Sequence, residues 1–372
     1  MTATHPTTLS RRRPQRLRLG FVALTDAAPL VTAHELGLFR RHGLDVELRR
    51  EIGWATVRDN IIYGKLDAAQ APAPMLWATQ LGIGGPQCDV LSALVLNLHG
   101  NAITLSTRLL SAGVRTALDF RREALRRRGA ARLTLGVVHL FSSHHLQLRQ
   151  WLIAAGVDPE KDVCIVVVPP AQMFRNLVAG AIDGYCAGEP WGTVAVQAGH
   201  GWCPTWSARQ SPGHVEKVLM LRADFAQDHT PEHLALVAAL HDACAWCDKP
   251  ANRPQLAEWL AEPRYLDVSV HTILPALLGR FDTGTGQTVS VPDFHIFSRG
   301  EANHPTAAAA AVIQHDLAAA GLIPRHLIST DLPAQLFRAD LYHAATANKI
   351  DLSHENTPPN STSLKPIEPC LS

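Results

Sequence analysis

Leu17-Arg18-Leu19-Gly20-Phe21-Val22-Ala23-Leu24 reads as a strand whose Leu19 to Leu24 part is a strand-length apolar run, Pro29 to Arg41 has helical periodicity, and Asp45-Val46-Glu47-Leu48 returns to an extended pattern. Strand, helix, strand is the βαβ unit, and its recurrence along the chain predicts an α/β fold with parallel sheets. Working outward, Thr56 to Tyr63 reads as helix and Leu66 to Ala71 as strand, and strands over Leu91 to Leu96 and Ile103 to Ser106 flank a turn at His99-Gly100-Asn101. A helix from about Ala112 to Arg128 carries five arginines on one side, and strands over Leu133 to Val138 and Val163 to Val168 bracket a helix from Ser143 to Ala155. Cys164-Ile165-Val166-Val167-Val168 is unbroken apolar, the pattern of a strand covered on both faces. Met173 to Ala179 and Trp191 to Ala198 read as helices, Gly184 to Ala187 and Lys217 to Leu221 as strands, and the chain is mainly helical from Pro231 to Leu260.

With 372 residues and 47% hydrophobic content the chain exceeds the roughly 250–300 residues that one core serves, so two lobes are expected. The boundaries are a basic flexible arm over 1–16, a discontinuous lobe I over 17–105 and 215–352, an inserted lobe II over 106–214, and a disordered tail over 353–372. The 34 Lys and Arg balance 33 Asp and Glu, which gives no support for a broad nucleic-acid surface. Seven scattered cysteines do not make a disulfide framework, and Cys244 and Cys247 sit in a helical pattern without a second ligand pair, so they read as packing residues. Ser10-Arg11-Arg12-Arg13-Pro14 has the flavour of an export signal, but the apolar run after it is only strand-length; the expectation is a cytoplasmic protein, with a periplasmic one as the alternative. Gly284-Thr285-Gly286 lacks a preceding strand and a third glycine, and the sequence has neither a phosphate loop nor a nucleophile elbow. His139, His144 and His145 do not form a metal set, because adjacent residues on a helix face different ways. No cofactor, metal or catalytic residue is expected.

Five positions can be weighed for ligand contact, and one of them, Asn101, reads as lying where open α/β folds put ligands. Trp54 has an indole N–H that can only donate, and it precedes a helix start; its plain alternative is a core tryptophan. Asn101 follows a glycine turn at the end of what reads as a parallel strand, though Asn beside Gly is also an ordinary turn residue. His144 opens a helix after an apolar strand. Gly188 ends a strand and would let a ligand approach the backbone, with Pro190 beginning the next helix. Lys217 opens the apolar strand Val218-Leu219-Met220-Leu221, where a buried lysine requires a partner; by position alone it reads as a strand-edge lysine. Asp59, Glu189 and Trp191 are candidates for a supporting shell, Glu189 as a helix cap or an orienting group.

The segments Gly53 to Asn60, Asn97 to Ala102, His144 before Arg149 and Trp151, Asp183 to Trp191, and Glu216-Lys217, with the Leu24-Thr25-Asp26 start, resemble nitrate-type solute-binding proteins of ABC importers and their cytoplasmic sensor relatives. The resemblance covers most of residues 17–350. It implies a bilobal, periplasmic-binding-protein-like type II fold without enzymatic activity. It also implies that Trp54, Asn101, His144, Gly188 and Lys217 surround nitrate or nitrite, a planar monoanion that accepts hydrogen bonds and cannot donate them. Relatives that bind bicarbonate tend to have Glu where this chain has Lys217. The chain departs from the importers at Asn101, where they usually have Gln, and at His139-Leu140-Phe141-Ser142-Ser143, where they have a Phe-Pro-Gly-Gly-Thr approach. The sensor branch implies regulation of nitrate assimilation by release of an RNA-binding antitermination partner, a response regulator. The alternatives are the nitrate-binding subunit of an ABC importer and a binder of another small anion, sulfonate or bicarbonate.

Overall fold

The computed structural model describes residues 16–129 and 131–347. In chain order, β1 (Leu17–Val22), β2 (Val46–Glu51), β3 (Ala68–Pro72), β4 (Val90–Leu91) and β5 (Val95–His99) precede β6 (Asn101–Ser106), β7 (Leu133–Val137), β8 (Val163–Val167), β9 (Gly184–Gly188) and β10 (Gly201–Trp206). The chain continues through β11 (Val215–Arg222), the hairpin β12 (Arg280–Asp282) and β13 (Thr288–Ser290), and β14 (His295–Ile296). One sheet has the order β14-β5-β11-β3-β1-β2 with β4 beside β11, and the second has the order β10-β6-β9-β7-β8.

The βαβ pattern yields parallel pairs where the connection is a helix: β1 with β2 and β3, and β7 with β8 and β9. Both sheets are nevertheless mixed, because β11 returns antiparallel to β3 and β5, and β6 runs antiparallel to β9 and β10. Asn101 is therefore the first residue of an antiparallel strand and stands opposite Gly188, not at the end of a parallel strand. The expectation that Val163 to Val168 is covered on both faces also fails. β8 is the outer strand of its sheet, and Val167 is half exposed. Continuous apolar sequence measures the burial a strand can tolerate, and an edge position with one face packed satisfies the same pattern.

Two short segments carry the chain between the sheets, one at Gly100 and one through residues 207–214. His99 and Gly100 both have positive φ, 63° and 98°, and a Cβ on Gly100 would come within 2.5 Å of the His295 ring. Glycine is required there by conformation and by space. His99 then ties the crossings together: its Nδ1 donates to the Asp293 carbonyl at 2.7 Å and its Nε2 accepts from the Gly213 amide at 2.7 Å, which fixes a neutral ring. Burial, its main cause, lowers the His99 pKa to about 4.

The two halves are closed on each other. A contiguous buried cluster contains Leu24, Trp54 and Val218 from the first sheet's side together with Val138, Phe141 and Trp191 from the second. The Thr25 amide donates to the Glu189 carbonyl at 2.7 Å, and Trp191 Nε1 donates to the Ala23 carbonyl at 3.1 Å. Cys244 and Cys247 are buried in the helix Thr230–Cys247, where Cys247 Sγ lies 3.1 Å from Thr32 Oγ1. Within the arginine-rich helix Ala117–Arg127, Arg122 pairs with Asp119, and Arg126 and Arg127 with Glu123, so its two acids pair with three of its four arginines.

Gly184 in β9 gives a direct test of the second sheet's packing. A Cβ there would meet the Thr104 carbonyl oxygen at 2.8 Å, a backbone atom that cannot move aside without parting the β6–β9 ladder. Gly184→Ala should lower unfolding stability by about 1–3 kcal/mol, read from urea denaturation midpoints at unchanged m-value.

Candidate functional site

Lys217 lies in β11 opposite Asn97 and Pro72, and the β5–β11 register is irregular on both sides of it. The irregularity matters because neighbouring residues of a regular strand point to opposite faces. A bulge re-aims side chains, and here it lets Glu216 and Lys217 meet, with Lys217 Nζ 2.6 Å from Glu216 Oε1. Lys217 Nζ is also 2.7 Å from Asp26 Oδ2, and all three groups are buried. Asp26 is supplied by the short helical turn Thr25–Ala27 just after β1, and Gln70 Nε2 in β3 donates to its Oδ1 at 2.5 Å.

Burial alone would depress the lysine pKa, but Asp26 and Glu216 outweigh it and hold the ammonium above its ordinary value. Burial would likewise raise Glu216, yet Lys217, with His144 and His214, holds it well below the usual carboxylate range. Burial, with the nearby Glu216, raises the Asp26 carboxyl above its ordinary value although Lys217 opposes the shift, so the site sets one ammonium between the Glu216 carboxylate and the Asp26 carboxyl group.

The expected donors converge on this centre. Asn101 Nδ2 donates to Glu216 Oε2 at 2.5 Å, Ser143 Oγ donates to the same oxygen at 2.6 Å, and His214 Nε2 lies 3.0 Å from it. His144 Nε2 lies 3.7 Å from Glu216 Oε1. The local sequence accounts for this: Ser142 caps the helix Ser143–Ala154 by accepting from the His145 amide, so Ser143 and His144 occupy its first turn. Gln147, one turn on, reaches Asn101 Nδ2 and His214 Nε2. Burial lowers the His144 pKa to about 3, so its ring is neutral near pH 7.

Trp54 is the first residue of the helix Trp54–Ile62, and its ring lies 5.3 Å from Lys217 Nζ. Its Nε1, Thr25 Oγ1 and both ring nitrogens of His144 have no hydrogen-bond partner among the described residues. A Cβ on Gly188 would sit 3.5 Å from Asn101 Oδ1 and from Asp26 Oδ2, so the glycine leaves that side of β9 open toward both.

The structure thus brings Trp54, Asn101, His144, Gly188 and Lys217 together. Of the supporting candidates, Glu189 caps the helix Trp191–Gln197 by accepting from the Thr193 amide at 3.1 Å, and Trp191 holds the seam to Ala23. Asp59 is not part of the site: it pairs with Arg58 at 2.8 Å on the outer face of its helix and is 46% exposed, because the helix turns only Trp54, Val57 and Ile61 inward. Sequence reasoning missed Asp26, Ser143, Gln147 and His214 as site residues, and it treated Glu216 only as the neighbour of Lys217. The requirement that a buried lysine have a partner was a signal for an acid, but nothing in the spacing indicated which.

The fold and site define a two-lobed α/β protein of the periplasmic-binding type with its polar centre at the interlobe seam. The chain belongs to the NMT1-like family, whose model matches residues 10–261. Among its relatives, the nitrate import ATP-binding protein NrtC of Synechocystis sp. is 38% identical over 88% of this chain and 49% of its own length. The bicarbonate transport ATP-binding protein CmpC of the same organism is 45% identical over 69% of this chain and 39% of its own length. The chain spans about half the length, or less, of these curated relatives. The crystal structure of the periplasmic nitrate-binding protein NrtA from Synechocystis superposes with a TM-score of 0.86 at 27% identity, covering 90% of this chain and 89% of that one. The fold class expected from the sequence is upheld, as is the resemblance to the nitrate-type solute-binding family. These relatives are transport components, and none supports the narrower identification with the cytoplasmic sensor branch.

Two stability tests follow from the charges. Lys217→Met would leave Asp26 and Glu216 buried without their cation, and unfolding free energy should fall by about 3–5 kcal/mol in urea titrations. Burial raises the Glu189 pKa to about 7, above an unfolded value of roughly 4.3. Folding thus takes up a proton at Glu189; the stability this adds is complete below the unfolded pKa and is lost as pH rises through about 7. Glu189→Gln, neutral and isosteric, should remove that loss. Relative to the variant, wild type should weaken by roughly 2–4 kcal/mol between pH 4 and 8, and parallel melting curves across that range would contradict the assignment.

Proposed function

We infer that this chain is the solute-binding component of a small-oxyanion uptake system and that its ligand is a planar monoanion, nitrate or nitrite. The ligand is held at the interlobe seam by Trp54, Asn101, His144, Gly188 and Lys217. The observation that carries this reading is the donor set around a fully buried ammonium. Asn101, Ser143, His214 and Lys217 already surround a planar carboxylate, and Trp54 Nε1 and His144 stand beside them with hydrogen-bonding capacity to spare. The transport names of the relatives and the NrtA-like fold support the importer reading over the regulatory one.

The periplasmic description of NrtA likewise favours the periplasmic alternative. No helix among the described residues is long and apolar enough to cross a membrane, so a membrane-spanning partner would complete such an importer. The relatives bring in no antitermination partner.

Hydrogen carbonate is a second reading with an observation behind it. Asn101 Oδ1 is a buried acceptor without a partner among the described residues, which suits a ligand with a hydroxyl to donate, and relatives such as CmpC are named for bicarbonate transport.

Isothermal titration of the full chain with nitrate, nitrite and bicarbonate decides among these. Saturable heat from nitrate or nitrite supports the main reading, and heat from bicarbonate alone replaces it. Trp54→Phe should weaken nitrate binding by about 10- to 100-fold, the worth of one hydrogen bond to a charged ligand; the lost N–H has no hydrogen-bond partner among the described residues, so any fall in ligand-free stability reflects the smaller ring in the buried cluster. Unchanged affinity would remove Trp54 from the contact set.

A further inference from the structure

Two of the donors assigned to the ligand, Asn101 and Lys217, are already engaged. Glu216 is fully buried, and its carboxylate takes Lys217 Nζ at one oxygen and Asn101 Nδ2, Ser143 Oγ and His214 Nε2 at the other, all between 2.5 and 3.0 Å. A carboxylate and nitrate are both planar monoanions that offer two coplanar oxygens to donors. A second monoanion added beside Glu216 would put two negative charges, with the Asp26 carboxyl group as a third acid, around one ammonium in a buried site. Charge uncompensated at that depth costs several kcal/mol per ion. Exchanging one planar monoanion for another leaves the charge at the donor set unchanged, provided that the displaced carboxylate is taken up by water.

There is also somewhere for the side chain to go. A cavity of about 280 Å3 between the lobes is lined by Ser143, Gln147, His214 and Val215, beside two of the groups that hold Glu216 Oε2, and on its outer side by Asp316 and the exposed Gln150 and Pro212, so a displaced carboxylate would have to pass Asp316 to reach solvent there. The β-bulge that brings Glu216 and Lys217 together marks the strand as locally irregular at this point.

We propose that Glu216 is the pocket's own anion, occupying the oxyanion donor set in the closed form, so that the ligand binds by displacing its carboxylate into the adjoining cavity. This rests on the oxyanion reading above and adds the residue that sets its threshold. Affinity is then the difference between two anions competing for one set of donors, and Glu216 keeps the site from filling at low ligand concentration.

The test is titration of the full chain, wild type and Glu216→Ala, with nitrate and separately with formate, which is a carboxylate without a tether. In the variant, nitrate should bind at least tenfold more tightly than in wild type, and formate should bind saturably and compete with nitrate; wild type should give no formate heat. Glu216→Gln keeps the side-chain volume and removes the charge, and it should also tighten nitrate, by less. Infrared difference spectra of wild type on adding nitrate should show a shifted carboxylate stretch that is missing from Glu216→Gln, which tests displacement without relying on either variant's affinity. If wild type binds nitrate while neither variant binds it more tightly and the carboxylate band does not move, displacement is wrong and the nitrate reading stands. If nitrate binds nowhere but formate binds Glu216→Ala, Glu216 does fill an anion site and nitrate is the wrong ligand. If folded protein of every form ignores both anions, both readings fall.

Discussion

The ammonium of Lys217 between the carboxylates of Asp26 and Glu216 is the constraint around which the interlobe seam is built. Its three members come from the loop after β1 and from the start of β11, so the first sheet must bring those strand ends together with β3 between them. Removing water from a charge costs several kcal/mol, and only paired and fully hydrogen-bonded geometry returns it. That is why the surrounding polar groups are so completely specified. Gln70 satisfies the second oxygen of Asp26, and Asn101 and Ser143 satisfy the second oxygen of Glu216. Asn101 and Ser143 belong to elements of the second sheet's side, so the charge cluster of one lobe is completed only when the other closes over it.

Closure therefore has an electrostatic component besides the apolar one. The seam buries Leu24, Trp54, Phe141 and Trp191 together, and this apolar contact is indifferent to ligand chemistry. Direction and register come from a few hydrogen bonds: Thr25 to Glu189, Trp191 to Ala23, and His99 binding both Gly213 and Asp293 across the crossings. Ligand can shift an open and closed equilibrium only by what it gains in one form over the other. Groups from both sides that meet only in the closed form are the places where that difference arises.

Much of the fold was legible because strand and helix periods survive in this sequence. The helix read over Met173 to Ala179 has those bounds, and the one read over Ser143 to Ala155 ends one residue earlier. What was not legible depended on contacts between distant segments. The apolar run of β8 does not reveal that no strand lies beyond it, and Gly100-Asn101 does not reveal that the next strand joins another sheet in the antiparallel sense. At the site, Lys217 was singled out by the family resemblance, since a lysine beginning an apolar strand reads by itself as a strand-edge residue and needs compensation only where it is buried. Glu216 was hidden by the same strand logic, since alternation would send adjacent side chains to opposite faces, and only the bulge undoes that. Asp59 was misplaced for the complementary reason: nearness in sequence to Trp54 does not survive the rotation of a helix.

The donors at the seam fall into two groups, and the division bears on how binding is driven. Asn101 Nδ2, Ser143 Oγ, His214 Nε2 and Lys217 Nζ are engaged by Glu216, whereas Trp54 Nε1, Thr25 Oγ1 and the ring nitrogens of His144 have no hydrogen-bond partner among the described residues. Each buried group left unsatisfied costs about 1–3 kcal/mol. A two-oxygen carboxylate tethered to β11 reaches the first group and not the second, while a free three-oxygen anion has one acceptor more to offer. The gain over the tethered carboxylate then comes from the second group, with the first merely exchanged. Selectivity follows the same division, because nitrite lacks the third oxygen and so stands closer to the tethered carboxylate in what it can satisfy.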